Sequence, residues 1–251
     1  MKKTVRQRIT FAVKITVGIS AALAVMVGTV ILLYINGLIT LNHPEKKYPV
    51  KGVDVSSYQG DIDWQVLSKD IDFAYIKATE GSSSSDSRFE YNWQQAQKTD
   101  IRAGAYHFFS FDSSGKTQAE NFISTVEAVP DMLPPVIDIE FYADKQNHPP
   151  NREDVNAQLD ILISELEKHY GTKPVIYSTG AAYEIYLSGG YMDYDIWIRD
   201  IFREPSLPNG KKWTFWQYSE KGQLEGYSGD ERFIDLNVFC GSEEDFRRYG
   251  K

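Results

Sequence analysis

The stretch Pro134-Pro135-Val136-Ile137-Asp138-Ile139-Glu140 decides the fold, because it has the composition of a buried strand and ends in two carboxylates. Side chains at positions i and i+2 of a strand point to the same side, so Asp138 and Glu140 share one face, with Cα atoms roughly 7 Å apart. Two acids held close in a poorly solvated cleft cannot both ionise cheaply, which separates their pKa values. The pair is a candidate for general acid/base chemistry, the alternative being two solvated residues at a strand end.

Further strand-like and helical segments surround this stretch in alternation. The strand-like runs lie at 51–55, 72–79, 101–109, 135–140, 174–178, 194–199, 213–218 and 234–239. The helical patterns lie at 64–68, 89–98, 117–128 and 154–170. Apolar strands that alternate with helices predict a parallel sheet covered by helices. Eight strands, five of them followed by helices, predict a closed barrel with an irregular last third, and its active site should form at the carboxyl ends of the strands.

Acids, amides and aromatic residues recur at these predicted strand ends. In chain order they are Asp54, Lys77, Glu80, Tyr106, His107, Asp138, Glu140, Tyr177, Trp197, Arg199, Gln217, Tyr218, Asp235 and Asn237. Aromatic faces stack on sugar C–H surfaces, and carboxylates and amides bond sugar hydroxyls, so this inventory predicts a saccharide cleft. We expect Lys77 and Glu80 to pair beneath the site. We expect His107 to pack in the barrel, because a lone histidine without a partner pattern is usually structural.

The amino-terminal segment predicts where the protein resides. Residues 15–35 carry no charge, and a helix of about 20 apolar residues rises about 30 Å, enough to cross a bilayer. Five basic residues precede it and no acid occurs before Glu45, so the positive-inside rule keeps the amino terminus in the cytoplasm. The bulky end Ile31-Leu32-Leu33-Tyr34-Ile35 favours an uncleaved signal anchor over a cleaved signal peptide.

These features predict a single-pass protein of the cytoplasmic membrane, with its catalytic domain periplasmic or extracellular. The expected segments are a cytoplasmic tail at 1–14, a transmembrane signal anchor at 15–41, a stalk at 42–50 and one barrel domain at 51–251. About 200 residues fit one large domain, since no long linker interrupts them.

Charge and cysteine content limit the possible partners. The residues after the anchor include 22 basic and 35 acidic side chains, a net charge of −13. An acidic surface argues against nucleic acid and against an anionic membrane surface as partner. The single cysteine, Cys240, cannot form an internal disulfide. The four histidines are dispersed, so we expect no metal site and no cofactor; the sequence carries no signal for an oligomeric state.

At six places the chain resembles the glycoside hydrolase family 25 lysozymes, the Chalaropsis-type N-acetylmuramidases. The matching motifs are Gly52-Val53-Asp54-Val55-Ser56 with Gln59-Gly60, Lys77-Ala78-Thr79-Glu80-Gly81, Gly104-Ala105-Tyr106-His107-Phe108, Gln118-Ala119-Glu120-Asn121-Phe122, Asp138-Ile139-Glu140 and Asp235-Leu236-Asn237. The resemblance runs from about Lys51 to about Phe246. It implies an α/β, TIM-like flattened barrel of five βα units followed by three strands with little helix. It also implies cleavage of the β-1,4 bond between N-acetylmuramic acid and N-acetylglucosamine in peptidoglycan.

The resemblance further implies roles for individual residues. Glu140 would be the general acid, and Asp138 would either attack as a direct nucleophile or assist the 2-acetamido group of the substrate, which the resemblance favours. Asp54 and Asp235 match the two further acids of the family, on the first and last strands, and would bond the sugar and tune the central pair. The expected substrate-binding residues are Tyr106, Tyr177, Trp197, Gln217 and Tyr218.

Two stretches depart from the family pattern, and three functions stay open. Ser82–Ser85 is a polar run where relatives often place an aromatic residue, and residues 196–203 differ from the Ala-Arg-Tyr often found there. Subsite preference around Ser82–Ser85 and Arg199–Ile201 is therefore not predicted.

The leading function is a membrane-anchored muramidase. The alternatives are a chitinase-like N-acetylhexosaminidase and a non-catalytic glycan-binding barrel, and the presence of all four acids argues against the latter.

Overall fold

The first helix, α1, covers Lys2–Ile35. A computed structural model describes residues 2–251, with every side chain except those of Lys2, Lys3, Val5 and Arg6. Lys2, Lys3 and Arg6 contribute to the prediction that the amino terminus is cytoplasmic, and their side chains lie outside the described residues. The chain divides into two compact units after Thr40. The stretch Gln7–Ile35 is apolar and long enough to cross a membrane, a property that signal sequences share.

The second unit is built on a closed barrel, as the sequence predicts. Its strands are β1 Lys51–Val55, β2 Phe73–Glu80, β3 Ser84–Ser85, β4 Arg102–Phe108, β5 Val136–Ile139, β6 Val175–Thr179, β7 Ile196–Arg199, β8 Phe215–Gly222 and β9 Ile234–Phe239. Eight of them follow one another in the order β1-β9-β8-β7-β6-β5-β4-β2, and a β1–β2 pairing closes the ring. Strand β9 is antiparallel to both of its neighbours. The short β3 forms a hairpin with the end of β2.

Helices follow the first five barrel strands and confirm the five βα units. They are α2 Trp64–Leu67, α3 Phe89–Ala96, α4 Gly115–Thr125, α5 Arg152–Tyr170 and α6 Gly180–Ala182, which continues as a π-helical turn over Tyr183–Leu187. A further helix, α7 Glu243–Arg248, follows β9. Helix α5 shows why these segments form: Asn151 caps it by accepting from the Asp154 N–H at 3.1 Å, and Gly171 ends it in the left-handed conformation at φ 69°.

The strand period of two separates an inner layer from an outer one. Along β2, Phe73 and Tyr75 pack inside the barrel, whereas Ala74 and Ile76 face the helices. The inner aromatic rings fit because glycines face them: a Cβ at Gly104 would lie 2.3 Å from the Tyr75 ring. The barrel interior is thus filled by tightly packed, mostly aromatic side chains.

Residues 42–50, assigned above to a stalk, fold onto the barrel domain. Lys47 Nζ lies 2.9 Å from a Glu204 carboxylate oxygen, and the Tyr48 hydroxyl donates to the same carboxylate at 2.6 Å. The Tyr48 ring packs edge-on against Trp213, with centroids 4.9 Å apart. Val50 is buried at 1% exposure. These contacts make residues 42–50 an ordered edge of the domain.

Candidate active site

A cavity of about 340 Å³ opens at the end of the barrel where the parallel strands have their carboxyl termini. The four acids predicted from the sequence line it, together with Glu220 and Glu231: Asp54 is on β1, Asp138 and Glu140 are at the end of β5, and Asp235 is on β9. Because β9 runs antiparallel, Asp235 reaches this end from the start of its strand and pairs directly with Asp54. The closure of the barrel thus brings the first and last strands together at the site, as the sequence predicts.

Asp138 and Glu140 both face the cavity, as the i, i+2 spacing requires. Asp138 is only 8% exposed, and its Oδ1 atom has no hydrogen-bond partner among the described residues. Burial raises the pKa of Asp138 well above its usual range, and the neighbouring Glu140 charge adds to the effect. Burial also raises the pKa of Glu140, which Arg199 opposes. Together these shifts favour retention of one proton by the pair at a pH where two exposed carboxyls would both be ionised.

Asp54 accepts hydrogen bonds from two buried amides. Gln217 Nε2 lies 3.0 Å from Oδ1 and 3.2 Å from Oδ2, and Asn237 Nδ2 lies 2.6 Å from Oδ1. The Tyr177 hydroxyl donates to Gln217 Oε1 at 2.9 Å, and the Trp197 indole N–H donates to Asn237 Oδ1 at 2.8 Å. Asp54 is therefore the centre of a polar network that connects five strands.

Two cations balance part of this acidic charge. Arg199 on β7 lines the cavity and forms an ion pair with Glu220 of β8. Lys77 on β2 pairs with Glu80 at 2.8 Å and lies over the Phe108 ring, 4.9 Å from its centroid. The predicted Lys77–Glu80 pair is confirmed. Because each cation is neutralised by a carboxylate at its side, neither contributes a full unpaired charge to the cavity.

The cavity brings together four of the five residues expected to bind substrate: Tyr106, Tyr177, Trp197 and Gln217. Tyr218 is a correction. It lies on the opposite face of β8 from Gln217 and packs in the outer core beside Trp216, with ring centroids 6.1 Å apart. Adjacent residues on a strand point to opposite sides, so the neighbouring pair could not both line the site.

Two charged residues of the cavity, Arg199 and Glu220, were not assigned a site role from the sequence, although Arg199 was placed at a predicted strand end. Arg199 follows Trp197 by two positions, so the period of two places it on the same face, a signal that was available. Glu220 lies three positions after Gln217, which the period does not predict. A register shift between Gln217 and Ser219 moves the alternation by one residue and turns Glu220 into the cavity.

His107 has a structural role, as predicted. The ring is fully buried behind β4, where Nδ1 bonds the Thr79 hydroxyl at 2.7 Å and Nε2 bonds Gln118 Oε1 at 3.1 Å. Burial lowers the pKa of His107 to about 4, so the ring stays neutral near pH 7. Gln118 also bonds the backbone of Ser110 and Ser113 and thereby fixes the loop after β4.

The polar run Ser82–Ser85 forms the hairpin of β2 with β3 rather than part of the cavity lining. The Asn121 side chain on α4 donates to the Gly81 and Ser84 carbonyls, at 2.9 and 3.1 Å, and holds this hairpin in place. Gly81 adopts φ 54°, a conformation that favours glycine. Ser82–Ser85 thus belongs to a tight backbone turn held by α4.

A closed barrel whose cavity holds a pair of buried carboxyl groups and several aromatic residues matches the site of a glycoside hydrolase. The family model for glycosyl hydrolases family 25 matches residues 53–227. The chain belongs to this family.

Known relatives agree in sequence and structure. The family 25 glycosyl hydrolase of Bacillus anthracis superposes with a TM-score of 0.81 at 55% identity, covering 85% of this chain and 98% of that one. The lysozyme of Streptomyces coelicolor superposes with a TM-score of 0.70 at 32% identity, covering 79% and 95%. Lysozyme M1 of Streptomyces globisporus is 36% identical over 77% of this chain and 68% of that protein. The protein is a lysozyme-type glycoside hydrolase.

Proposed function

We propose that the enzyme cleaves the β-1,4 bond between N-acetylmuramic acid and N-acetylglucosamine in peptidoglycan, with Glu140 as general acid and Asp138 assisting the 2-acetamido group. The observation that carries this proposal is the buried, unpartnered Asp138 Oδ1 in the same cavity as Glu140. A buried carboxylate oxygen without a donor is costly unless a ligand supplies one. The amide N–H of a bound acetamido group is such a donor.

Glu140 suits the acid role because its environment favours the protonated form. Burial raises its pKa, and the Asp54 charge in the same cavity adds to this effect. A carboxylic acid that is still protonated near neutral pH can transfer its proton to the leaving glycosidic oxygen. The ionised carboxylate that results can then take a proton from the water that completes hydrolysis.

Asp138 suits the assisting role because it can orient and polarise the acetamido N–H. The acetamido oxygen then attacks the anomeric carbon as the glycosidic bond breaks, and the ring that forms carries positive charge beside the Asp138 carboxyl. Transfer of the N–H proton towards Asp138 neutralises this charge. Asp54 on β1 and Asp235 on β9 influence the protonation of the pair from elsewhere in the same cavity.

The substrate assignment is tested by the sugar found at the new reducing end. Purified peptidoglycan should yield N-acetylmuramic acid at that end, because the bond broken lies on its anomeric carbon. Reduction of the digest with borohydride followed by mass analysis identifies it. Fragments ending in N-acetylglucosamine, or faster release from chitin than from peptidoglycan, would replace this assignment with a chitinase-like one.

We further propose that α1 anchors the enzyme in the cytoplasmic membrane with the amino terminus inside. Its apolar stretch is much longer than a signal-peptide core and ends in bulky residues. The native protein should therefore keep residues 1–42 in mass analysis and sediment with membranes, while protease added outside digests the barrel domain. Recovery of a soluble form that begins near residue 40 would show that the segment is a cleaved signal.

A further inference from the structure

We propose that Gln217 and Asn237 are positioning residues whose amides keep Asp54 ionised, so that the single proton of the Asp54–Asp235 pair stays on Asp235. The negative charge of Asp54 then helps to keep the candidate acid Glu140 protonated. This inference rests on the proposed function of Glu140, and it assigns a task to two side chains that need not touch the substrate.

The orientation of the Asn237 amide follows from its second partner. An indole N–H can only donate, so the Asn237 atom that faces Trp197 must be the carbonyl oxygen. The amide N–H therefore points to Asp54, at 2.6 Å. Asn237 is fully buried and Trp197 is 2% exposed, so water does not compete for either group.

Gln217 repeats this arrangement from β8. Its carbonyl oxygen accepts from the Tyr177 hydroxyl at 2.9 Å, and its Nε2 atom lies within bonding distance of both Asp54 oxygens. Gln217 is 2% exposed and Tyr177 is 6% exposed. Two aromatic donors thus fix two amides so that both present N–H groups to one carboxylate. An acceptor surrounded in this way by donors is stabilised in its ionised form.

The proton of the pair then belongs to Asp235. Asp54 and Asp235 lie opposite each other across β1 and β9 and line the same cavity, and two buried carboxyl groups placed so close together cannot both be ionised at low cost. Burial raises the pKa of both acids, but the two amide bonds oppose this for Asp54. For Asp235 the Asp54 charge raises the pKa further. Of the two acids, Asp235 therefore holds the proton and Asp54 is the ionised one.

Charged and titratable groups from every other barrel strand lie in the same cavity. They are Lys77 on β2, Tyr106 on β4, Asp138 and Glu140 after β5, Tyr177 on β6, Arg199 on β7 and Glu220 on β8. The Asp54 charge raises the pKa of Glu140, whereas Arg199 and Lys77 lower it. Without the Asp54 charge, less would oppose the lowering of the Glu140 pKa by Arg199 and Lys77. Glu140 would then lose its proton at lower pH.

The proposal predicts a shift in the pH profile when an amide is removed. In Asn237→Leu, Asp54 loses a donor and takes up a proton at higher pH, so the pKa of Glu140 should fall. The alkaline limb of kcat/KM should then move to lower pH by about one unit, a change that one nearby charge can produce. At neutral pH kcat should drop roughly tenfold while KM changes little. Gln217→Met should move the limb in the same direction.

Gln118→Met is the matched control, because it also removes a fully buried amide but lies on α4 behind the barrel wall. It should lower the thermal unfolding temperature and leave the alkaline limb in place. An unmoved limb in both Asn237→Leu and Gln217→Met, with activity loss that only follows the loss of stability, would overturn the positioning role.

A second measurement reads the carboxyl groups without any turnover. The full-length enzyme, labelled with ¹³C at the aspartate carboxyl carbons and held in detergent micelles, is titrated by NMR, with Asp54→Asn and Asp235→Asn used to assign the signals. Asp235 should stay protonated near neutral pH while Asp54 is ionised, and Asn237→Leu should raise the pH at which Asp54 titrates. This result would support the positioning role of Asn237 even if the digest showed another substrate. Protonated Asp54 beside ionised Asp235 in the unaltered enzyme would refute it.

Discussion

Replacing Glu140 with glutamine should abolish glycan cleavage while leaving the fold and glycan binding nearly intact. The amide keeps the shape of the side chain but cannot transfer a proton to the leaving oxygen. A loss on the order of a thousandfold in kcat matches the removal of general acid catalysis. The measurement is the rate of reducing-end release from purified peptidoglycan at saturating substrate.

Thermal unfolding supplies the control for this variant. The pKa of Glu140 is raised in the native state, so ionisation of this group costs native stability as the pH rises through the native pKa. Glutamine removes that cost, so Glu140→Gln should unfold at the same or a higher temperature than the unaltered enzyme near neutral pH. Activity within tenfold of the unaltered enzyme would refute the assignment of Glu140 as the acid.

Replacing Asp138 with asparagine should slow cleavage by at least a hundredfold, because the amide cannot stabilise the positive charge that grows on the cyclising acetamido group. Substrates without the N-acetyl oxygen should not be cleaved at all by the unaltered enzyme. A thiazoline mimic of the cyclic intermediate should inhibit strongly, since catalysts bind species that resemble the transition state more tightly than substrate. Steady-state rates with paired acetylated and deacylated glycans provide the measurement.

Two outcomes would assign a different role to Asp138. A covalent sugar ester on Asp138, trapped with a fluorinated slow substrate, would make it the direct nucleophile. A product with inverted anomeric configuration would show that an activated water attacks directly, with Asp138 or Asp235 as the base.

The barrel could be predicted because its determinants are local. The apolar run before Asp138 and the capped, striped helix that follows it carry the strand and helix periods in the sequence itself. The same period placed Asp138 and Glu140 on one face. Closure of the first strand against the last required only that eight strands form a ring, so the meeting of Asp54 with Asp235 could be expected as well.

What the sequence did not provide depends on irregularities and on distant partners. The register shift in β8 moves Glu220 into the cavity, and no residue in that stretch marks it. The placement of Tyr218 as a cleft residue was wrong, because the same strand also carries Gln217 on the opposite face. The bond from Trp197 to Asn237 joins residues 40 positions apart, so it emerges only once β7 and β9 are both in place.

Because residues 42–50 fold onto the barrel domain, only a short connection joins this domain to helix α1. The last turn after helix α1 ends with a hydrogen bond from the Leu38 N–H to the Leu33 carbonyl. The Asn42 side chain already donates to the Ile201 carbonyl of the barrel domain. The intervening residues 39–41 have a contour length of at most roughly 14 Å. If α1 anchors the enzyme in the bilayer as proposed, this short connection should confine hydrolysis to the glycan nearest the lipid. A form released by cleavage at this point should then reach glycan farther from the membrane.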